Sequence, residues 1–140
     1  MQSTVAAGAT VLTGGHKVSG RGFFYTPTVL KDVQPGMSAF DEETFGPVAA
    51  MAVARDAENA IELANNSVYG LSGNLWSRDE VRARELARRL ETGGVFINGF
   101  SASDPRVPIG GIKHSGYGRE LSYFGLREFL NAQTVWLDRP

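Results

Sequence analysis

The chain has 140 residues, of which 42% are hydrophobic and 21% are charged, a size and composition typical of one globular domain. Its formal net charge of -1 gives no indication of a polyanionic partner such as nucleic acid, which would need a broad basic surface. The absence of cysteine excludes disulfides, thiolate metal sites and a cysteine nucleophile within these residues. Neither a membrane-spanning run nor a secretory signal is apparent, so we expect a cytoplasmic protein.

The first thirty residues predict a helix end and two extended segments. Residues 1–8 resemble the last part of a helix that ends at Gly8, and the uncapped start suggests a longer parent protein. Residues 9–13 predict a strand that is closed by two glycines. The segment 23–30 contains Pro27, which favours an extended segment at a sheet edge.

Residues 47–98 alternate between strand and helix patterns. The strands are predicted over 47–53, 71–76 and 94–98. The small and β-branched residues of 47–53 indicate a strand that is buried on both faces of a parallel sheet. The alternation predicts an α/β fold, with strands of a parallel sheet joined by helices.

Capping residues mark the two helices between these strands. Asp56 is a typical N-cap, and Ala57, Ala60, Ile61 and Ala64 then form one apolar stripe. Residues 77–80 match a capping box for the second helix, which we expect to end at Gly93.

The chain becomes irregular after Asn98. Residues 99–119 are rich in Gly, Ser and Pro, and a loop of this length is usually functional or disordered. A short helix is predicted around residues 121–124. Residues 129–140 end the chain as an apolar segment whose strand, about 131–137, we expect to pair with another chain. Neither histidine has a second ligand at metal spacing, so we expect no metal site.

The segment Glu42-Glu43-Thr44-Phe45-Gly46-Pro47 combines carboxylates with a flat ring on a stiff backbone. A carboxylate can accept two hydrogen bonds from a ribose diol, so Glu43 is a candidate cofactor ligand. In an extended segment Phe45 points to the same side and can pack against a nicotinamide. The alternative on residue types alone is an acidic surface turn.

The second candidate segment is glycine-rich and runs from Pro108 to Glu120. Lys113 and Arg119 allow an interpretation as a phosphate cradle, although no P-loop or dinucleotide fingerprint is present. The alternative is a structural loop that folds over a neighbouring layer.

The two segments occur in order, and together they resemble motifs of the aldehyde dehydrogenase family. That family has EE-x-FGP, two βα units, a G-x-V-x-x-N strand end and then P-F-G-G-x-K-x-S-G-x-G-R-E. This sequence differs at Ile109, where the family has Phe, and the resemblance covers essentially the whole chain.

The resemblance implies a role for several residues. Glu43 matches the carboxylate that holds the nicotinamide-side ribose of NAD or NADP, and Phe45 matches the ring beside the nicotinamide. Asn98 matches the end of the strand that borders the aldehyde pocket. The pocket loop is matched by Phe100, Ser101, Ala102 and Ser103.

The resemblance also implies an oxidoreductase that converts an aldehyde to a carboxylic acid. Its nucleophilic cysteine, glutamate base and Rossmann-like domain lie upstream in the family, so this chain has no catalytic residue and should be inactive alone. Residues 1–128 would be the C-terminal part of the catalytic domain and 129–140 an oligomerisation strand. The alternatives are a truncated assembly module, which pairs through that strand, and a free-standing nucleotide-binding domain.

The pocket loop indicates the substrate class. Residues 98–104 resemble the succinate-semialdehyde dehydrogenase branch, whose substrate carries a carboxylate. Ser103 and Arg106 are the local candidates to hold that carboxylate. The alternative, which we favour for Arg106, is that the side chain only shapes the loop.

Overall fold

The computed structural model describes residues 1–139, so Pro140, the last residue of the segment predicted over 129–140, lies outside the described residues. The chain divides into two compact units, the first ending at Ser67 and the second beginning at Val68. Each unit contains its own helices and sheets.

The first unit has one sheet. Its elements are α1 (Gln2–Ala6), β1 (Thr10–Thr13), β2 (Thr28–Lys31), α2 (Ser38–Asp41), β3 (Val48–Ala50) and α3 (Ala57–Asn65). The strand order is β1-β2-β3, with β1 antiparallel and β3 parallel to β2. The strand after Pro27 is therefore the middle strand and not an edge. Pro27 is tolerated because it precedes the strand and removes no donor from the ladder.

A small apolar core lies beneath this sheet. Leu30 on β2 is fully buried and clusters with Ala9, Val33 and Met37. Burying a leucine side chain contributes about 1.5–3 kcal/mol. The buried hydroxyl of Thr4 accepts a hydrogen bond from the backbone N–H of Ala39 at 3.1 Å, which ties α1 to α2.

The prediction for residues 47–53 is confirmed in part. β3 pairs in parallel as expected, but Ala49 and Ala50 are exposed, and Val53 is 71% exposed. β3 is an edge strand of the sheet, and its alanine side chains stay exposed, so the expectation of burial on both faces is wrong for this chain.

The second unit contains two small sheets. Its elements are β4 (Tyr69–Gly70), β5 (Ser72–Leu75), α4 (Glu80–Ala87), β6 (Gly94–Ile97), β7 (Ile112–Lys113) and α5 (Ser122–Glu128). β5 and β6 are parallel and in register from Ser72–Gly94 to Leu75–Ile97, whereas β4 and β7 are antiparallel. The α/β class is thus confirmed, although β3 and β5 lie in different sheets.

The two predicted helices differ in how well their ends were placed. α3 starts after Asp56, whose carboxylate accepts from the Asn59 N–H at 2.8 Å, as predicted. Within its predicted stripe only Ile61 is buried. α4 is capped by Asp79 rather than by Ser77, and it ends at Ala87, well before Gly93. The last turn tightens through i to i−3 hydrogen bonds, such as Arg89 N–H to Leu86 O at 3.0 Å.

The end of the chain forms neither helix nor strand within the described residues 131–139. Val135, Trp136 and Leu137 are each more than 80% exposed. The strand predicted over about 131–137 is therefore not formed in this structure, and the pairing of the segment with another chain stays a prediction. No helix within residues 1–139 has both the length and the apolar composition of a membrane span.

Candidate functional site

The first candidate feature is the open acidic turn, which we define as residues 42–46 between α2 and β3. Glu42 leaves α2 in an extended conformation, and the Pro47 carbonyl accepts from the Thr28 N–H at 2.8 Å. This hydrogen bond anchors the C-terminal end of the turn to β2. Its position before a parallel strand follows from the motif as predicted.

The side chains of the open acidic turn point into solvent. The Phe45 side chain is 91% exposed. The Glu43 carboxylate is exposed and has no hydrogen bond or ion pair with any residue from 1 to 139. A solvated carboxylate and a bare ring two residues apart are therefore both available to a ligand.

The second feature is the braced loop, which we define as residues 98–106 after β6. It begins at Asn98, whose backbone N–H continues the β5–β6 ladder by donating to Leu75 O at 2.9 Å. The Asn98 side chain then binds the Ser77 backbone twice. Its Oδ1 accepts from the Ser77 N–H at 2.9 Å, and its Nδ2 donates to the Ser77 carbonyl at 2.8 Å.

The middle of the braced loop lies against β5. The Phe100 ring meets the Trp76 ring edge-on, with centroids 5.5 Å apart. The Ser101 hydroxyl lies 3.0 Å from both the Ser72 hydroxyl and the Asn74 amide oxygen, to which it donates. Two of the predicted pocket residues are thus engaged with their own chain.

An ion pair closes the braced loop. The Arg106 guanidinium donates two hydrogen bonds to the Asp104 carboxylate, the shorter of which is 2.6 Å. The backbone N–H of Arg106 also donates to that carboxylate, at 2.9 Å. These hydrogen bonds hold the pKa of the Asp104 carboxyl below its usual value. The side-chain bonds of Arg106 have the larger effect and its backbone bond the smaller one. The pairing also raises the pKa of Arg106. This geometry favours the loop-shaping alternative for Arg106.

Ser103 differs from its neighbours in the braced loop. It is exposed and lines a surface cavity of about 600 Å³. Leu71, Ile109 and Phe129 supply apolar walls, and Glu128 lies at the same cavity. Ser103 is therefore one of two predicted pocket residues at an open cavity, since Asn98 lines another, of about 610 Å³, together with Trp76 and Ser77.

The glycine-rich segment 108–120 is held by its own chain. The Arg119 guanidinium donates to the carbonyls of Gly111 and Gly118 at 3.0 and 2.6 Å. Lys113 pairs with Glu91 at 2.8 Å. The Ser115 hydroxyl accepts from the Gly70 N–H at 3.0 Å. Because both cations bind protein groups, the structure favours the structural-loop alternative over a phosphate cradle.

One contact of this segment is between two backbones. A methyl group at Gly93 would overlap the carbonyl oxygen of Gly110. Only glycine therefore allows the start of β6 to approach the glycine-rich segment so closely.

The predicted residues fall into two groups. Glu43 and Phe45 lie in the first unit, and the pocket residues from Asn98 to Ser103 lie in the second. Sequence reasoning did not single out Ser77 or Trp76 as partners of the pocket loop. Both contacts join positions more than twenty residues apart, and no local pattern indicates them.

Comparison with known proteins bears on the whole chain. The aldehyde dehydrogenase family model matches residues 1–135. Succinate semialdehyde dehydrogenase (NAD(P)+) Sad of Escherichia coli strain K12 is 60% identical over 139 residues, which is 99% of this chain and 30% of that protein. Succinate-semialdehyde dehydrogenase (NADP(+)) 1 of Mycobacterium ulcerans strain Agy99 is 47% identical over 98% of this chain and 30% of that protein.

A solved structure gives the same result for the fold. Betaine aldehyde dehydrogenase of Staphylococcus aureus, in complex with NAD+, superimposes with a TM-score of 0.86 at 37% identity, over 99% of this chain and 30% of that chain. The chain therefore spans just under a third of the length of the relatives that it matches.

Proposed function

Because the chain belongs to the aldehyde dehydrogenase family, we propose that it is part of an NAD(P)-dependent enzyme that oxidises an aldehyde to a carboxylic acid. The proposed substrate is an aldehyde with a distal carboxylate, such as succinic semialdehyde. The observation that carries this proposal is the 60% identity over 139 residues with the succinate semialdehyde dehydrogenase of E. coli.

The open acidic turn fits one end of a nicotinamide dinucleotide. The Glu43 carboxylate has no partner within residues 1–139, so its lone pairs can accept hydrogen bonds from the two ribose hydroxyls. The exposed face of Phe45 can pack beside the nicotinamide ring. When bound, NAD or NADP supplies the hydride acceptor. In this proposal the two side chains bind and orient that acceptor.

The remaining chemistry belongs to residues outside this sequence. The chain has no cysteine, so in this proposal the nucleophile and the base are contributed by a longer polypeptide. The 140 residues alone are then inactive.

The substrate carboxylate is proposed to meet Ser103. Its side chain is exposed at the 600 Å³ cavity, whereas Arg106 is already paired with Asp104. A hydroxyl donor to a carboxylate favours the charged substrate over a neutral aldehyde of the same length.

A non-catalytic assembly role is the second candidate. Val135, Trp136 and Leu137 are exposed in a segment without helix or strand, within the described part of the chain. An apolar segment of this kind can add to the sheet edge of another chain, which gives a homo-oligomer. The boundary at residues 128 and 129 and the cytoplasmic location stay predictions.

The test compares two substrates in the full-length protein that carries these residues. We expect kcat/KM for succinic semialdehyde to exceed that for butanal, and Ser103→Ala to remove most of the difference. Equal values for the two aldehydes in the unmodified protein would contradict the substrate class. Turnover of NAD(P) by the purified 140-residue chain, unaffected by Glu43→Gln, would contradict the proposed division of labour.

A further inference from the structure

Asn98 occupies an unusual place at the end of a strand. Its φ is +52°, in the left-handed region that non-glycine residues rarely adopt. Asparagine is among the residues that tolerate this conformation best. The Asn98 N–H makes the last backbone hydrogen bond of the β5–β6 ladder, and the main chain turns out of the sheet beyond it.

The Asn98 side chain takes over the pairing that the main chain gives up. Its amide accepts from the N–H and donates to the C=O of Ser77 at 2.9 and 2.8 Å. A carboxamide presents the same donor and acceptor as a peptide group, so the side chain acts as one more rung of the sheet. Aspartate, which has almost the same shape, lacks the donor.

This rung connects the braced loop to the start of α4. The Ser77 hydroxyl accepts from the Asp79 N–H at 3.1 Å, and the Asp79 carboxylate caps α4 by accepting from the Arg82 N–H at 2.9 Å. Two residues beyond Asn98, the Phe100 ring reaches Trp76, the neighbour of Ser77. The direction in which the loop leaves β6 is thus fixed at Asn98.

We infer that Asn98 is a positioning residue, whose side-chain pairing with the Ser77 backbone holds the braced loop in place for the aldehyde. The inference rests on the proposed function in naming an aldehyde as the ligand. The placement of the loop rests on the geometry of the second unit alone. Asn98 acts through Ser77 and the loop and has no role in the chemical step. Its removal should weaken aldehyde binding more than turnover or cofactor binding.

The first experiment reads the placement without activity. Trp76 and Trp136 are the only tryptophans, so Trp136→Phe leaves Trp76 as the single reporter in the 140-residue chain. Phe100→Leu in that background gives the near-ultraviolet circular dichroism of Trp76 without its ring contact. Asn98→Asp should reduce the Trp76 signal to the same level. The matched control Asn66→Asp adds the same charge at an exposed position and should leave the signal unchanged. Ser77→Ala keeps both backbone groups that Asn98 binds and should retain most of the signal.

The second experiment uses the full-length protein. Asn98→Asp should raise KM for succinic semialdehyde about tenfold, the order expected for one lost hydrogen bond, with kcat and the KM for NAD(P) within about twofold. Asn98→Gly keeps the left-handed backbone but lacks the amide, so it should behave like Asn98→Asp. If Asn98→Gly instead keeps the KM of the unmodified protein, the increase in KM comes from the backbone conformation at residue 98, and the inference is overturned.

The two experiments separate the possible failures. A lower unfolding midpoint in urea with an unchanged Trp76 signal and unchanged KM would assign Asn98 a purely structural role and overturn the inference. If the unmodified full-length protein oxidises no aldehyde, the proposed function fails, and the Trp76 signal still decides whether Asn98 places the loop.

Discussion

The open acidic turn and the braced loop carry comparable polar residues, yet they use them in opposite ways. In the braced loop Asn98, Ser101 and Asp104 each bind a group of their own chain. In the open acidic turn Glu43 has no partner within residues 1–139, and Phe45 is 91% exposed. A group that is already paired contributes to order, whereas an unpaired group keeps its capacity for a ligand. The comparison separates side chains that hold their own loop in place from side chains that remain available to a ligand.

The largest expected effect is at Glu43. In the full-length protein, Glu43→Gln should lower kcat/KM for NAD(P) on the order of 10- to 100-fold, because hydrogen bonds to a charged group contribute about 1.5–3 kcal/mol. Steady-state kinetics with varied cofactor measure this effect. Glu42→Gln is the matched control, and an equal loss in that variant would attribute the effect to the charge of the turn as a whole.

A smaller effect on stability is expected at Asp79. Asp79→Ala should lower the free energy of unfolding by about 1 kcal/mol, because α4 loses its N-cap. Asp79→Asn keeps a good cap and should change little. Urea denaturation of the 140-residue chain gives both values, and the expectation fails if alanine and asparagine are equivalent.

The two phenylalanines test the comparison most directly. Phe100→Leu should cost about 0.5 kcal/mol and change the Trp76 spectrum, since the edge-on ring contact is lost. Phe45→Leu should leave the unfolding free energy unchanged, because its side chain contacts almost nothing. Equal destabilisation by the two substitutions would show that the open acidic turn is packed after all.

The smallest effect concerns the ion pair of the braced loop. Arg106 lowers the pKa of Asp104, so the pair contributes at neutral pH and is lost as the pH falls through that lowered value. In Arg106→Gln the Asp104 titration should move up towards the usual range for aspartate. Carbon-13 NMR of the carboxyl follows it, and Arg78→Gln, a substitution elsewhere in the unit, should leave it unmoved.

Local signals in the sequence predicted local structure well. Asp56 predicted the start of α3 because capping acts within one turn. The prediction that Ser77 caps α4 was wrong, although serine is as good an N-cap as aspartate. The backbone N–H and C=O of Ser77 are both bound by Asn98, which lies 21 residues further along the chain. The Ser77 carbonyl, which would accept the first hydrogen bond of a helix capped at Ser77, accepts from the Asn98 amide, and the first helical bond goes to the Asp79 carbonyl instead.

The exposure of Glu43 and Phe45 agrees with the short segment that contains them, because nothing from a distant part of the described chain covers them. Their roles in cofactor binding stay predictions. The ordered conformation of residues 99–119 could not be predicted, because it depends on long-range contacts. One of them is the hydrogen bond between Ser115 and Gly70, which are 45 residues apart. Hydrogen bonds of this range leave no periodicity in the sequence.

The contact of Gly93 with Gly110 has a consequence for protein engineering. Two backbones meet there with no room for a methyl group, so no side chain at position 93 separates them. A library that randomises the cavity walls at Leu71, Ile109 and Phe129 should therefore leave Gly93 unchanged. Chimaeras between relatives should accordingly be joined outside residues 93–110, so that both glycines come from the same parent.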